Sequence, residues 1–129
     1  MLLALATLGA LVFAGCGRDD FANDPRPAVP AEITVKVSNS GVVVSPSDFG
    51  AGLVNFTIAN LSEDSTTLAI SGPTTAESNE IPPGGDTVLK ADMETGSYEL
   101  SADGPPDATP FSLQVGPDRP SGQNDLLLP

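Results

Sequence analysis

The chain has 129 residues, a length that fits one ordinary domain with a short segment at either end. Its 17 acidic and 5 basic residues give a formal net charge of −12, which favours a soluble monomer and excludes nucleic acid as a partner because the surface repels phosphate backbones. His is absent and Cys16 is the single cysteine, so no intramolecular disulfide can form and the fold depends on an apolar core.

Residues 1–15 predict an export signal peptide. The run MLLALATLGALVFAG is apolar and is shorter than the roughly 20 residues that cross a bilayer. With Cys16 it ends in FAGC, which resembles the lipobox of bacterial lipoproteins, although no Lys or Arg precedes the apolar run. The resemblance implies that Cys16 is the lipid attachment site and carries a diacylglyceryl anchor. The alternative is a buried core helix with a chance cysteine.

Residues 16–31 are expected to comprise the lipidated Cys16 and a flexible tether. The stretch after the cysteine, GRDDFANDPRPAVPA, is polar and contains three prolines, a composition typical of an extended spacer. Two or three acyl chains anchor a protein firmly, whereas one chain binds reversibly. We therefore expect an extracytoplasmic protein of the cell envelope that is anchored to a membrane through Cys16.

Residues 32–116 predict an all-β domain. Short runs alternate apolar and polar residues at period two, and turn residues such as NSG at 39–41 and IPPGGD at 81–86 separate them. The apolar positions, by segment, are Ile33, Val35 and Val37; 42–44; Val54, Phe56 and Ile58; Leu68 and Ile70; Val88 and Leu89; Tyr98 and Leu100; and Phe111, Leu113 and Val115. Seven or eight such strands without an amphipathic helix are typical of a sandwich or barrel.

The single tyrosine of the chain lies at the start of a late strand. Tyr98 follows Gly96 by two residues in the stretch METGSY. This arrangement is typical of a tyrosine corner, in which the hydroxyl bonds back to the upstream backbone at a Greek-key crossover. The alternative is an ordinary half-buried tyrosine.

Five segments together resemble the cupredoxin-like family in their order and spacing: VNFTIAN (54–60), TTLAI (66–70), IPPGGDTVL (81–89), GSYELSA (96–102) and FSLQV (111–115). The resemblance covers nearly all of residues 32–116. It implies a Greek-key β-sandwich of seven to eight strands, and an immunoglobulin-like sandwich is the alternative fold.

The same resemblance locates the positions where copper-binding members hold their metal. Those members use two His, one Cys and a weak axial Met. The matching positions here are Thr66, Ala102, one of Pro105, Pro106 and Asp107, and about Thr109. None of these side chains supplies an imidazole, a thiolate or a thioether. The sequence therefore predicts a ligand loop without its ligands, with no metal, no cofactor and no type-1 copper.

Acidic side chains offer a different kind of metal site. The resemblance places Glu63 and Asp64 at the same end as Asp103 and Asp107, and two further acids, Glu77 and Glu80, are scattered. Calcium takes six to eight oxygens, usually from a dense acidic loop, and no D-x-D-x-D-G spacing occurs. We expect solvated acids, with a carboxylate cation site as the alternative.

No catalytic constellation is visible, and we expect no enzymatic activity. The chain lacks a G-x-S-x-G motif and a P-loop, and Lys36 and Lys90 lie within strand patterns as outward-facing residues. Asn55 and Asn60 each begin a glycosylation sequon, which we interpret as a chance match.

Residues 117–129 are predicted to form a disordered tail, since GPDRPSGQNDLLLP (116–129) returns to linker composition. Its three leucines, 126–128, could instead cover an edge strand or dock on a partner. Together these features predict a lipid-anchored envelope protein whose sandwich acts as a binding or scaffold module, with an envelope protein as its partner. The alternative is an accessory metal-handling lipoprotein that binds a cation through carboxylates or takes part in iron or copper uptake.

Overall fold

The computed structural model describes residues 28–120, which form eight β-strands and no helix. The strands are β1 (Ala31–Val37), β2 (Val42–Ser45), β3 (Asp48–Asn60), β4 (Leu68–Ser71), β5 (Ala76–Glu77), β6 (Asp86–Met93), β7 (Gly96–Ala102) and β8 (Phe111–Asp118). The predicted all-β sandwich is confirmed, and its eight strands match the upper end of the predicted seven to eight. The predictions of a signal peptide, of lipidation at Cys16 and of most of the tether and tail lie outside the described residues.

The strands pack in two layers that share β3. The first layer has the order β2-β1-β3-β6, and the second has the order β3-β8-β7-β4-β5. β1 and β8 both run parallel to β3, whereas the other pairs are antiparallel. Neighbours such as β1 and β3, β3 and β8, or β4 and β7 are not consecutive in sequence. The connections therefore cross between layers, as in Greek-key proteins, and do not form a simple meander.

β3 changes layers in its middle. Its first residues pair with β8, with Asp48 opposite Gln114, and the register shifts between Gly50 and Ala51. From Gly52, which has a φ of 130°, the strand pairs with β6, and from Val54 it also pairs with β1. A positive φ in this range favours glycine, which lets the strand bend between the layers.

The core lies between the layers and contains the predicted alternating residues. Val35, Val54, Phe56 and Leu100 are completely buried, and their strands expose every second residue to solvent. Phe49 packs its ring edge-on against that of Phe56, at 6.4 Å between centroids and 70° between planes.

Two parts of the strand pattern differ from the sequence expectation. β3 begins at Asp48, before the apolar run that starts at Val54, because pairing with β8 extends the strand through a stretch rich in turn residues. In β6 the side chains of Leu89 and Ala91 face the core, and Val88 is 58 % exposed on the opposite face.

The two outer faces of the sandwich differ in composition. The outer face of the first layer carries Val43, Leu53 and Val88, three of the five large apolar residues that are exposed in the described chain. The outer face of the second layer has small polar side chains instead, namely Ser71, Ser97, Ser101 and Ser112. The apolar side chains of the first layer are separated by charged ones, since Lys36, Lys90 and Asp92 lie on the same face.

Candidate functional site

The candidate site is the end of the sandwich where three loops meet, here called the loop end: residues 38–41, 61–67 and 103–110. Hydrogen bonds connect the first loop to the third: Thr109 N donates to Ser40 O at 3.2 Å, and Val42 N donates to Thr109 O at 3.0 Å. The first and second loops are joined by Glu63 N, which donates to Asn39 Oδ1 at 3.2 Å. The loops therefore form one continuous surface.

Thr66 and Asp103 join the second loop to the third. Thr67 N donates to Asp103 Oδ1 at 2.7 Å, and Thr66 Oγ1 lies 3.5 Å from the same oxygen. Gly104 N donates to Thr66 Oγ1 at 3.2 Å. The carboxylate of Asp103 accepts a hydrogen bond from the backbone of Thr67 in the second loop. The carboxylate therefore has a structural role, because it holds the second and third loops together.

A buried asparagine organises the second loop. Asn60 Nδ2 donates to the carbonyl oxygens of Asp64, at 2.8 Å, and Ile81, at 2.9 Å. Its Oδ1 accepts from Ser62 N at 3.0 Å and lies 2.6 Å from Ser62 Oγ. The side chain is completely buried and fully hydrogen-bonded. Its sequon is therefore sterically inaccessible to a glycosylating enzyme.

Sequence reasoning missed this role of Asn60, although a local signal existed. Asn Oδ1 bonding to the N–H two residues ahead is an Asx-turn, and Asn60-Leu61-Ser62 is a suitable sequence for one. The turn also exposes the side chain of Leu61 at the loop end, where 61 % of its surface is accessible to solvent. Asn39, which binds the backbone of Glu63, was likewise not expected.

The structure brings together some of the positions that the cupredoxin resemblance suggested. Thr66 is buried against the segment that directly follows Ala102, which pairs with Leu68. Pro105 is buried, whereas Pro106 and Asp107 are exposed. Thr109 contacts the first loop through the bonds described above. These positions offer hydroxyl groups, an exposed carboxylate and apolar side chains.

The acidic residues of the loop end do not converge. Within residues 28–120, no three His, Cys, Asp or Glu side chains are close enough together to hold a metal ion. Glu63, Asp64 and Asp107 are exposed. Since no Lys or Arg occurs in 38–41, 61–67 or 103–110, the surface is uniformly acidic, which favours a basic partner over an acidic one.

Lys36 and Lys90 both project from the outer face of the first layer, as predicted for strand residues that alternate outward. Asn55 lies on the same face and donates from Nδ2 to Glu32 Oε1 at 2.8 Å. Glu77 ends β5, and Glu80 is an exposed loop residue. None of these residues belongs to the loop end.

Compared with models of protein families and with curated proteins, the chain matches no family model and has no significant sequence match. Across the described part of the chain, no helix has the length and apolar character needed to cross a bilayer.

Proposed function

We propose that the chain is a lipid-anchored protein of the bacterial cell envelope whose sandwich binds a partner through its loop end. The anchor is a diacylglyceryl group on Cys16, and residues 17–31 form the tether. The sandwich is a cupredoxin-like domain that binds no type-1 copper, because the chain has no His and its single Cys lies at the lipobox. The role is binding or scaffolding, without catalysis.

The observation that carries this proposal is the separation of the chain ends from the loop end. Ala31 pairs with Val54, and Arg119 N donates to Ala51 O at 3.1 Å, so both ends of the described chain lie beside one short part of β3. β1 runs parallel to β3, and Val37 pairs with Asn60 at the other end. Six residues of strand span about 20 Å. A tether that enters at Ala31 is therefore attached at the end of the domain opposite the loops, which leaves the loop end free to contact a partner.

The surface chemistry of the loop end supports a protein partner. Leu61 gives an exposed apolar contact, and the same loop end carries the exposed carboxylates of Glu63, Asp64 and Asp107 and no basic residue. A few residues buried at the centre of an interface contribute most of its affinity, and complementary charge steers association. We infer a partner with a basic surface, located in the same envelope compartment.

The anchor is tested by comparing the full chain with its Cys16→Ser variant in a bacterial host fed labelled palmitate. We expect label and membrane association for the parent chain, and neither for the variant. Equal labelling, or an unlabelled parent chain, would overturn the lipoprotein assignment.

The binding surface is tested separately with photo-crosslinking residues placed at Asp107 in the loop end and at Glu94 near the chain ends, both of which are exposed. We expect one defined envelope protein to crosslink from position 107 and not from 94, and the crosslink to weaken with salt or with Glu63→Gln. Equal crosslinking at both positions would contradict the proposal. A stoichiometric copper ion with an intense blue band in the purified chain would overturn the copper-free assignment.

A further inference from the structure

β6 is the longest edge strand of the sandwich. Among residues 28–120 it pairs with β3 alone, so one of its two sides is free. The other edge strands, β2 and β5, have four and two residues, whereas β6 has eight. Proteins keep edges from pairing by making them short, by placing Pro in them or by bulging them. β6 contains no Pro and has a continuous register, so its edge can accept a further strand.

Every second residue of β6 points its main-chain groups toward the free edge. Asn60 N donates to Gly85 O at 2.9 Å, so Gly85, directly before β6, faces β3. Residues of an antiparallel pair alternate between facing the partner strand and facing away from it. The residues of β6 that face away from β3 are therefore Asp86, Val88, Lys90 and Asp92. In agreement with this alternation, Thr74 Oγ1 donates to Asp92 O at 3.1 Å, which leaves the other three with free N–H and C=O groups.

The side chains of these three residues form a pattern that is complementary to itself. Asp86, Val88 and Lys90 are all exposed on the outer face of the first layer. The acidic residue precedes the valine by two positions, and the basic residue follows it by two. A second, antiparallel copy of β6 centred on Val88 therefore places valine opposite valine, and Asp86 of each copy opposite Lys90 of the other. Opposite charges and apolar side chains that face each other across two strands stabilise the pair.

Other registers of the same two strands are less favourable. Moving the centre one residue toward the end of β6 places Asp86 opposite Asp92, and moving it by two places Lys90 opposite itself. Like charges directly opposite each other destabilise a strand pair. A centre one residue further on would use the carbonyl of Asp92, which already accepts from Thr74. Because the net charge of −12 opposes contact between copies in general, the register centred on Val88 is the one that makes the local charges attractive.

We propose that two copies of the chain associate through the free edges of β6, antiparallel about a twofold axis at Val88. The valines contact each other, Asp86 of each copy pairs with Lys90 of the other, and each opposed pair of residues exchanges two main-chain hydrogen bonds. The two first layers then form one continuous sheet. The loop ends lie at opposite ends of this pair, and the proposal rests neither on the loop end nor on the lipid anchor.

The first test is thiol crosslinking of the purified full chain carrying Cys16→Ser, so that each introduced cysteine is its only thiol. Val88→Cys is compared with Thr57→Cys, because Thr57 lies opposite Val88 in β3 and is exposed on the same face. Across the proposed contact the two Val88 Cα atoms are about 5.5 Å apart. The two Thr57 positions are separated by three strand spacings, or about 14 Å. A thiol crosslinker shorter than this second distance distinguishes the two positions.

We expect Val88→Cys to crosslink two chains about tenfold faster than Thr57→Cys, because the contact holds only the first pair of thiols within reach. Equal rates at the two positions would show random collision or a face-to-face contact, and either result would overturn the proposal.

The second test reverses the charges in the Val88→Cys chain. Lys90→Asp and Asp86→Lys should each slow crosslinking about tenfold, because each variant places like charges opposite each other. Combining Asp86→Lys with Lys90→Asp exchanges the charges and should restore the rate. Lys36→Asp is the matched control, since it makes the same charge change on the same outer face but in β1, and its rate should stay near that of the parent chain. No recovery in the combined variant, or an equal loss with Lys36→Asp, would overturn the proposal.

Discussion

The hydroxyl of Tyr98 donates a hydrogen bond to the main-chain carbonyl of Glu94, with 2.8 Å between the two oxygens. This confirms the predicted tyrosine corner. The ring is buried, and a Cβ at Gly72 would come within 2.4 Å of its Cδ1 atom. The backbone at the end of β4 therefore packs directly against the ring. One side chain connects the β6–β7 corner to the edge of the second layer.

Tyr98→Phe should lower the free energy of unfolding by about 1 kcal/mol, because it removes one hydrogen bond and leaves the ring in place. Urea denaturation of the variant measures this change. Ser112→Ala removes an exposed hydroxyl of the adjacent strand and should change stability by less than about 0.5 kcal/mol. Equal effects of the two substitutions would show that the Tyr98 hydroxyl has no special role.

Asn60→Ala should destabilise the domain by about 3 kcal/mol. The substitution leaves the buried amide of Ser62 without a partner, which costs about 1–3 kcal/mol. It also removes one of the two hydrogen bonds to the carbonyl of Ile81, which still accepts from Thr66 N. Chemical denaturation measures the effect.

Asn55→Ala is the matched control for Asn60→Ala, since Asn55 also lies in β3 and also begins a sequon. Its hydrogen bond to Glu32 is exposed, so we expect a loss below about 1 kcal/mol. A larger loss at Asn55 than at Asn60 would contradict the assignment of Asn60 as the residue that organises the loop end.

Gly104→Ala should destabilise the loop end. A Cβ at this position would lie 2.2 Å from the main-chain oxygen of Ser65, so the two loops would have to separate. Overpacking of this kind costs about 1–3 kcal/mol. Gly116→Ala is the control, because the nearest atom to its Cβ would be Phe49 O at 3.7 Å, an ordinary contact. Thermal unfolding of both variants should show a lower Tm for Gly104→Ala only.

Hydrogen exchange should be slowest in the second half of β3. Residues 54–59 have paired neighbours on both sides, β1 and β6, and Val54, Phe56 and Ile58 are completely buried. Their amides should open only with global unfolding, whereas amides of the two-residue edge strand β5 should exchange by local fluctuation. Faster exchange at Phe56 than in β5 would contradict the central position of β3.

The sequence predicted the fold well where a strand has one face in the core. Ile33, Val54 and Leu113 belong to alternating runs, and each is buried as its run indicates. The first half of β3 could not be predicted, because it follows Pro46 and contains Gly50 and Gly52, which favour turns by local preference. Pairing with Gln114 and Val115, far along the chain, makes that segment a strand. Such long-range pairing overrides local propensity.

The loop end was predicted less completely. The meeting of the second and third loops followed from the family resemblance, and Thr66 does contact the segment after Ala102. The contacts that hold the loops, from Asn39, Asn60 and Asp103, are hydrogen bonds to main-chain atoms. Only the Asx-turn at Asn60 has a local sequence signal. The other contacts join segments that are distant in sequence, so they depend on the path of the backbone and a sequence pattern does not reveal them.

The sharing of β3 by both layers has a consequence for how the domain is made. The first half of β3 can form its native pairs only after β8 is present, because Asp48 pairs with Gln114, sixty-six positions later. A chain of which only the first hundred residues have been synthesised therefore lacks β8, the strand that joins β3 to β7 in the second layer. Closing so large a loop is entropically costly. The domain should therefore acquire its native structure in one late step, after the last strand has emerged.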